Sequence, residues 1–304
     1  MSIGAVLGDK IIDLPKSSGG KLPGDMLGFI EAGDEALASA REALKNPKAE
    51  AVSELAAIKL KAPLPRPASL KDFFAFENHA RAGAERRSEA FPEAWYDIPC
   101  YYKGNHREIY GPGETVPWPN YTRKLDFECE IACVVGRKGR DLSPKQAAGH
   151  IFGYMIFNDF SARDIQKKEM ILRMGPAKGK DFANAFGPYL VTADDVDPRN
   201  DFELTVRVNG EKWSAGRFSD QHWGFPVMVS HVSQGETVFP GDVMGSGTFH
   251  KGCGLDMGRW INPGDTVQLD VPALGVLSNP TGIPDPAKQA ELNYRKHPPE
   301  KYGN

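Results

Sequence analysis

Acidic and apolar residues alternate in the segment LDFECEIACVV, which spans residues 125–135. Because successive side chains of a β-strand point to opposite faces, Asp126, Glu128 and Glu130 would share one face and an apolar row would cover the other. Carboxylates crowded in this way repel one another unless water solvates them or a cation such as Mg²⁺, Mn²⁺ or Ca²⁺ bridges them. The segment therefore predicts either a metal-binding face or the solvated face of an edge strand.

A fourth acidic residue stands at the end of another apolar run. Asp159 follows residues 151–157 and precedes a helix-like stretch, where an Asp serves either as a metal ligand or as a helix cap. Ser161 and Asp164 are spaced like a capping pair, which would leave Asp159 free. Asp159 considered alone favours the helix-cap interpretation, and the Ser161–Asp164 spacing makes the metal-ligand interpretation somewhat stronger.

Two other groups are less informative by themselves. Asp72 and His79 stand seven residues apart in the segment KDFFAFENHA, and this pair by itself does not indicate a particular chemistry. Lys180 lies in the glycine-rich stretch 174–188, which lacks the Walker pattern of a phosphate loop. A lysine in a glycine turn either offers a fixed positive charge to a carboxylate or enolate, or faces solvent.

The rest of the chain indicates which elements position these residues. Residues 1–13 predict a short strand or hairpin, and apolar spacing predicts helices across 26–60. Three prolines in KAPLPRP cannot continue a helix, so we place a domain boundary near residue 66. The chain is thus divided into a small N-terminal domain (1–66), a main domain (67–282) and a polar C-terminal tail (283–304).

Short apolar runs separated by Gly, Pro and Asp follow the boundary, which is typical of a β-rich domain with few helices. Asn209-Gly210 between two strand-like runs predicts a β-hairpin. Helices are predicted at residues 143–151, 161–172 and 225–233. We therefore expect an α+β, β-rich fold.

The amino-acid composition limits the kinds of partner that the protein is expected to bind. The 304 residues are 40% hydrophobic and 25% charged with a net charge of −3, so we expect a globular protein without a basic surface for nucleic acid. We see neither a signal-peptide pattern nor a segment near the ~20 apolar residues of a membrane span. Four unevenly spaced cysteines predict reduced, mostly buried thiols. The expectation is a cytoplasmic protein that binds a small molecule.

Taken together, DFFAFENH, KLDFECEIACVVG, NDFSARDIQ and GPAKGK resemble the motifs of the fumarylacetoacetate hydrolase family in order and separation, over roughly residues 70–280. The segment YDIPCYYKGN is similar to a substrate segment of the longer members. This resemblance implies a mixed β-roll with a small N-terminal α/β appendage, a divalent cation, a keto-acid substrate and a homodimer.

The resemblance also implies roles for particular residues. The cation, Mg²⁺ or alternatively Mn²⁺ or Ca²⁺, would be held by Asp72, Glu128, Glu130 and Asp159. His79 would be the catalytic base, and Lys180 would stabilise negative charge at the reacting oxygen. Substrate contacts would come from Arg163, Gln166 and Tyr102.

The activity implied is hydrolysis of a carbon–carbon bond in a β-diketone or acylpyruvate. His79 would take a proton from the attacking water, and the leaving group would be a metal-bound enolate. The same cation and enolate chemistry is also used for oxaloacetate-type decarboxylation, keto-acid isomerisation and sugar-acid dehydration. Hydrolysis requires an activated water, whereas decarboxylation and tautomerisation do not. A metal-binding protein without catalysis is a more remote alternative.

A departure from the family pattern leaves the partner of His79 open. Ala82 stands where shorter members place a Glu that pairs with the histidine, and the partner of His79 could be Glu77, Glu85 or Asp256.

Met170 replaces a substrate-binding tyrosine of fumarylacetoacetases, which disfavours fumarylacetoacetate itself as substrate. His250 either enters the site or lies on the surface. Residues 80–100 form either a lid or an ordinary solvated helix.

Overall fold

The computed structural model describes residues 1–198, 200, 202–288 and 292. The strands are β1 (Gly4–Leu7), β2 (Lys10–Asp13), β3 (Val52–Glu54), β4 (Ser69–Phe73), β5 (Tyr101–Lys103), β6 (Ile109–Tyr110), β7 (Leu125–Asp126), β8 (Cys129–Val135), β9 (Gly139–Arg140), β10 (Ile151–Asp159), β11 (Ser161–Ala162), β12 (Asn184–Thr192), β13 (Glu203–Val208), β14 (Glu211–Arg217), β15 (Thr237–Val238), β16 (Asp242–Gly245), β17 (Thr266–Val271) and β18 (Gly275–Pro280). The helices are α1 (Leu14–Ser17), α2 (Met26–Glu31), α3 (Gly33–Lys45), α4 (Glu77–Arg86), α5 (Pro144–Ala148), α6 (Arg163–Leu172), α7 (Phe225–Ser233) and α8 (Gly254–Met257).

A mixed sheet of seven strands forms the centre of the molecule, in the order β5-β4-β16-β8-β10-β12-β6. Its β4–β16 and β6–β12 pairs are parallel, and the other neighbours are antiparallel. A four-stranded sheet, ordered β14-β13-β17-β18, shares one hydrophobic core with it, which includes Ile131, Val206 and Leu269. The predicted β-rich α+β fold is confirmed.

The register of the central strands carries acidic residues to one place on the sheet. In the antiparallel pair of β8 and β10, Glu130 lies opposite Phe157, two residues before Asp159. On the other side of β8, β16 runs parallel to β4 and places Gly245 opposite Asp72. Segments distant in sequence therefore meet around β8.

The N-terminal part agrees with the prediction in its first half and departs from it in the second. β1 and β2 form the expected hairpin, and α2 and α3 lie within the predicted helical region. The helical prediction for residues 26–60 is wrong in its last part, residues 49–60, because β3 pairs with the free edge of β2 there and places Val52 opposite Ile12. Pairing satisfies backbone groups of β2, and tertiary pairing of this kind overrides weak helical patterning.

The N-terminal elements pack on the seven-stranded sheet. Phe29 of α2 contacts Phe152 of β10 edge to face, with 6.3 Å between the ring centroids. Leu64 joins a buried cluster with Val134 and Val243. The division of the chain at residue 66 stays a prediction.

Other local predictions are confirmed. Asn209 and Gly210 have positive φ angles of 51° and 82° and connect β13 to β14. The helices α5, α6 and α7 lie within the predicted ranges. Three of the four free cysteines are buried, and Cys100 is exposed.

Two expectations concern the ends and surfaces of the chain. Most of the predicted tail, residues 289–291 and 293–304, lies outside the described residues. Within the described part, no helix combines the length and apolar character that crossing a bilayer requires.

Candidate metal centre and active site

Four carboxylates converge beside the central strands. Asp72 lies on β4, Glu130 on β8 and Asp159 at the end of β10, while Glu128 immediately precedes β8. All four residues are buried, and one oxygen from each lies within 4.8 Å of one oxygen from every other. The structure thus brings together the four residues predicted to bind metal, although their role as ligands stays a prediction.

The alternative of a solvated edge strand is wrong. β8 lies between β16 and β10, and Glu130 is fully buried. The apolar half of the predicted alternation is confirmed, because Phe127 and Ile131 lie in the same hydrophobic core. On the acidic side, Asp126 lies outside the group of four carboxylates and accepts hydrogen bonds from Arg163 and from the first amides of α8.

Burial dominates the electrostatics of this cluster. It raises the pKa of Asp72 from 3.8 to about 6 and raises the pKa values of Glu130 and Asp159 well above their ordinary values. The Gly247 amide donates to Asp72 and Glu130, but Glu130 Oε1 and Asp159 Oδ1 accept no hydrogen bond from any described residue. Buried oxygens without donors fit a hard divalent cation, which satisfies them directly.

Lys180 lies among these carboxylates. Its Nζ donates to Glu128 Oε2 at 2.5 Å and also to Asp159 Oδ2. Burial alone would lower the pKa of Lys180, but the charges of Asp159 and Glu128 outweigh it and raise that pKa. Burial likewise opposes ionisation of Glu128, yet Lys180 and Arg163 hold its pKa below the ordinary value. Tyr102 donates to Asp159 Oδ2 at 2.9 Å and so reaches the same cluster.

Arg163 begins α6 and connects the cluster to its surroundings. Its Nη2 donates to Glu128 Oε1 at 2.7 Å, its Nε to Asp126 Oδ2 at 2.8 Å and its Nη1 to Gln166 Oε1 at 2.8 Å. Gln166 lies on the same face of the helix because it follows three residues later. Both predicted substrate contacts therefore adjoin the carboxylates, and Arg163 also holds Glu128 in place.

His79 has a carboxylate partner. Its Nδ1 lies 2.7 Å from Asp256 Oδ2, and the Asp256 side chain is fully buried. Arg86 and the Lys251 amide also donate to Asp256, at 2.7 and 3.1 Å. Burial favours the neutral acid, but the hydrogen bond and charge of His79, with Lys251 and Arg86, lower the pKa of Asp256 to about 2. Asp256 is therefore an ionised group that orients His79.

This contact decides among the partners left open for His79. Glu77 instead accepts hydrogen bonds from Arg81 and Tyr96 on the protein surface. His250 lies 3.5 Å from Asp256 with 40% of its side chain exposed, so it is a peripheral member of the group.

The segment predicted as either lid or solvated helix is mostly ordered secondary structure. It contains the end of α4 and a 3₁₀ turn at Glu93–Tyr96. Trp95 anchors this turn by donating to the Phe74 carbonyl at 2.9 Å. Whether the segment acts as a lid stays a prediction.

Comparison with known proteins agrees with this architecture. Residues 70–281 match the family model described as "Fumarylacetoacetate (FAA) hydrolase C-terminal". Oxaloacetate tautomerase YisK of Bacillus subtilis is 32% identical over 300 residues, which cover 93% of this chain and 96% of that protein. The chain therefore belongs to the fumarylacetoacetate hydrolase family.

Solved structures show the same fold. A fumarylacetoacetate hydrolase from Exiguobacterium antarcticum is 26% identical with a TM-score of 0.74, over 92% of this chain and 95% of that one. A 5-carboxymethyl-2-hydroxymuconate delta-isomerase from Mycobacterium smegmatis is 31% identical with a TM-score of 0.63, over 76% and 84% of the two chains. Relatives with this fold thus carry the names of hydrolases, isomerases and tautomerases.

Two features of the site were not assigned by sequence reasoning. Asp126 was grouped with the other carboxylates, and its contacts to Arg163 and α8 were not foreseen. The Gly247 amide, which donates to two carboxylates, carries no side-chain signal at all. Only the glycine-rich composition of residues 245–258 hinted at close backbone approaches there.

Proposed function

We propose that this protein catalyses the metal-dependent keto–enol tautomerisation of a short 2-oxo dicarboxylic acid of the oxaloacetate type. The observation that carries the proposal is the His79–Asp256 pair beside the buried carboxylate cluster, close enough that the charge of His79 helps to lower the pKa of Glu128. Similarity to an oxaloacetate tautomerase over 93% of the chain supports the choice of substrate class.

The four carboxylates would hold the cation. An all-oxygen ligand set favours Mg²⁺, with Mn²⁺ or Ca²⁺ as alternatives. When bound, the cation supplies Lewis-acid polarisation of a 2-oxo carbonyl.

We assign the proton transfer to His79. Because ionised Asp256 can only accept hydrogen bonds, the proton of neutral His79 resides on Nδ1, and Nε2 keeps a free lone pair. Nε2 then removes a proton from C3 of the keto acid and delivers one to the 2-oxo oxygen, and the reverse steps regenerate the keto form. Asp256 stabilises the imidazolium that exists between these two transfers.

Charge in the site suits a dianionic substrate. The side chains of Lys180 and Arg163 are buried cations beside the carboxylates. Preorganised cations of this kind stabilise an oxygen that becomes negative as the C3 proton leaves. Tyr102 and Gln166 provide further polar groups next to them.

Hydrolysis of an acylpyruvate is the second candidate. The His79–Asp256 pair supplies the acidic partner that Ala82 does not, so His79 could equally deprotonate a water. The two activities differ in products, because hydrolysis consumes water and yields two acids whereas tautomerisation conserves every atom.

One experiment separates them. Purified protein is mixed with oxaloacetate in its enol form, and in parallel with acylpyruvates, while the ultraviolet enol absorbance is followed with Mg²⁺ and with EDTA. Tautomerisation predicts Mg²⁺-dependent relaxation of the oxaloacetate signal without production of pyruvate or other acids. His79→Gln and Asp256→Asn should lose this activity, while the control Glu77→Gln on the same helix should retain it.

Formation of acid products from an acylpyruvate, without faster relaxation of oxaloacetate, would refute the tautomerase proposal in favour of the hydrolase.

The homodimer expected from the family is also part of the proposal. Light scattering after size-exclusion chromatography measures the oligomeric state.

A further inference from the structure

We propose that Asp126 is a positioning residue that orients both the Glu128 carboxylate and, through α8, the Asp256 partner of His79. The part concerning catalysis rests on the proposed function. Asp126 is fully buried and lies outside the four-carboxylate cluster. Both of its oxygens nevertheless accept hydrogen bonds from groups that lead to the two halves of the active site.

The first link leads to the carboxylate cluster. Asp126 Oδ2 accepts from Arg163 Nε at 2.8 Å, and Arg163 Nη2 donates to Glu128 Oε1 at 2.7 Å. A planar guanidinium held by two carboxylates has a defined orientation, because its donors project in fixed directions. Asp126 therefore fixes the direction from which Arg163 approaches Glu128.

The second link leads to the catalytic base. Asp126 Oδ1 accepts from the Gly254 amide at 2.8 Å, and Oδ2 accepts from the Leu255 amide at 3.0 Å. These amides begin α8, a four-residue helix that has few internal hydrogen bonds of its own and carries Asp256. Asp126 thus holds in place the short element that presents Asp256 to His79.

The close approach of α8 depends on a glycine. A Cβ atom added to Gly254 would lie 2.6 Å from Asp126 Oδ1 and 2.3 Å from the Arg259 carbonyl oxygen. Any larger residue must therefore push α8 away from Asp126. None of the three atoms nearest to this Cβ belongs to Arg163 or Glu128, so the change acts on α8 more directly than on the Arg163–Glu128 contact, which allows the two links to be tested separately.

The main test is Asp126→Asn, a substitution that keeps the shape and removes the charge. The asparagine amide group is a donor, so it must face Arg163 Nε or the α8 amides, all of which are donors too. Partners of this kind typically change metal affinity or activity by about 10–100-fold. We expect weaker Mg²⁺ binding by calorimetry, a lower kcat at saturating Mg²⁺, and loss or shift of the downfield proton resonance of the His79 Nδ1–H bonded to Asp256.

The matched control is Asp164→Asn on α6, the helix that Arg163 begins. Asp164 accepts from the Thr122 hydroxyl at 2.5 Å and from the Arg123 amide at 2.9 Å, so its loss removes comparable hydrogen bonds near Arg163 without the links described. Calorimetry and the proton resonance require no substrate, so they test Asp126 even if the proposed reaction is wrong. If Asp126→Asn changes either of these two readouts no more than Asp164→Asn does, the dual role is refuted.

Gly254→Ala keeps the proposal testable if Asp126→Asn does not fold. This variant should weaken the His79 proton resonance and lower kcat while Mg²⁺ affinity stays that of the wild type. An unchanged resonance in folded Gly254→Ala would show that α8 does not need Asp126 for its position.

Discussion

Replacing Lys180 with Met should strengthen divalent-cation binding and lower the stability of the metal-free protein to unfolding. In the structure Lys180 Nζ occupies one oxygen of Glu128 and one of Asp159, two of the four carboxylates predicted to bind the metal. A cation that enters must therefore compete with the charge and the hydrogen bonds of Lys180. Removal of this buried ammonium eliminates that competition.

The magnitude follows from the two ion pairs. Hydrogen bonds to charged groups contribute about 1.5–3 kcal/mol each, so relief of one such competing contact strengthens Mg²⁺ binding by about 10–100-fold. The metal-free variant should lose about 3–5 kcal/mol of stability, because breaking a buried pair leaves uncompensated carboxylates. Turnover should fall at the same time, since the positive charge proposed to stabilise the reacting oxygen is gone.

The assay combines calorimetric titration with Mg²⁺ and urea unfolding of EDTA-treated protein. Lys178→Met is the matched control, because Lys178 is exposed and lies over the Tyr121 ring rather than in the cluster. Unchanged or weaker Mg²⁺ binding by folded Lys180→Met would refute the idea that Lys180 and the metal share these oxygens.

Three further predictions concern pH, metal and the base. Burial raises the pKa of Asp72 to about 6, so the folded metal-free protein binds more protons than the unfolded chain between about pH 4 and 6. Its free energy of unfolding should therefore decrease as the pH rises through this range, by up to about 3 kcal/mol. Urea titrations should show this slope relative to Asp72→Asn, and an equal slope in both proteins would contradict it. Mg²⁺ at 100 times its Kd should add about 2.7 kcal/mol of stability, measured by thermal unfolding, and Glu130→Gln should abolish most of this gain. His79→Gln should lower kcat by about 10²–10⁴-fold, and Asp256→Asn should lower it in the same direction with little change in KM; equal kcat values for wild type and both variants would remove His79 as the base.

Local sequence signals predicted much of the fold because they act over a few residues. Asn209-Gly210 turned the chain between β13 and β14 since both residues tolerate positive φ. The failure over residues 49–60 has the opposite cause. Val52 became a strand residue because β2 offered an edge 40 residues away in sequence, and no local periodicity reports that partner.

The features of the site are likewise divided between those that the local sequence predicts and those that depend on the tertiary structure. The sequence by itself determined which residue types were available: four carboxylates, His79 and Lys180, in motifs specific enough to indicate the family. Only the tertiary structure decided that Asp256, 177 residues from His79, is its partner, and that Asp126 binds Arg163 and α8 rather than joining the four-carboxylate cluster. The physical reason is that residue type and short-range period are local properties, whereas burial, pKa and hydrogen-bond partners depend on which distant segments the sheets bring together.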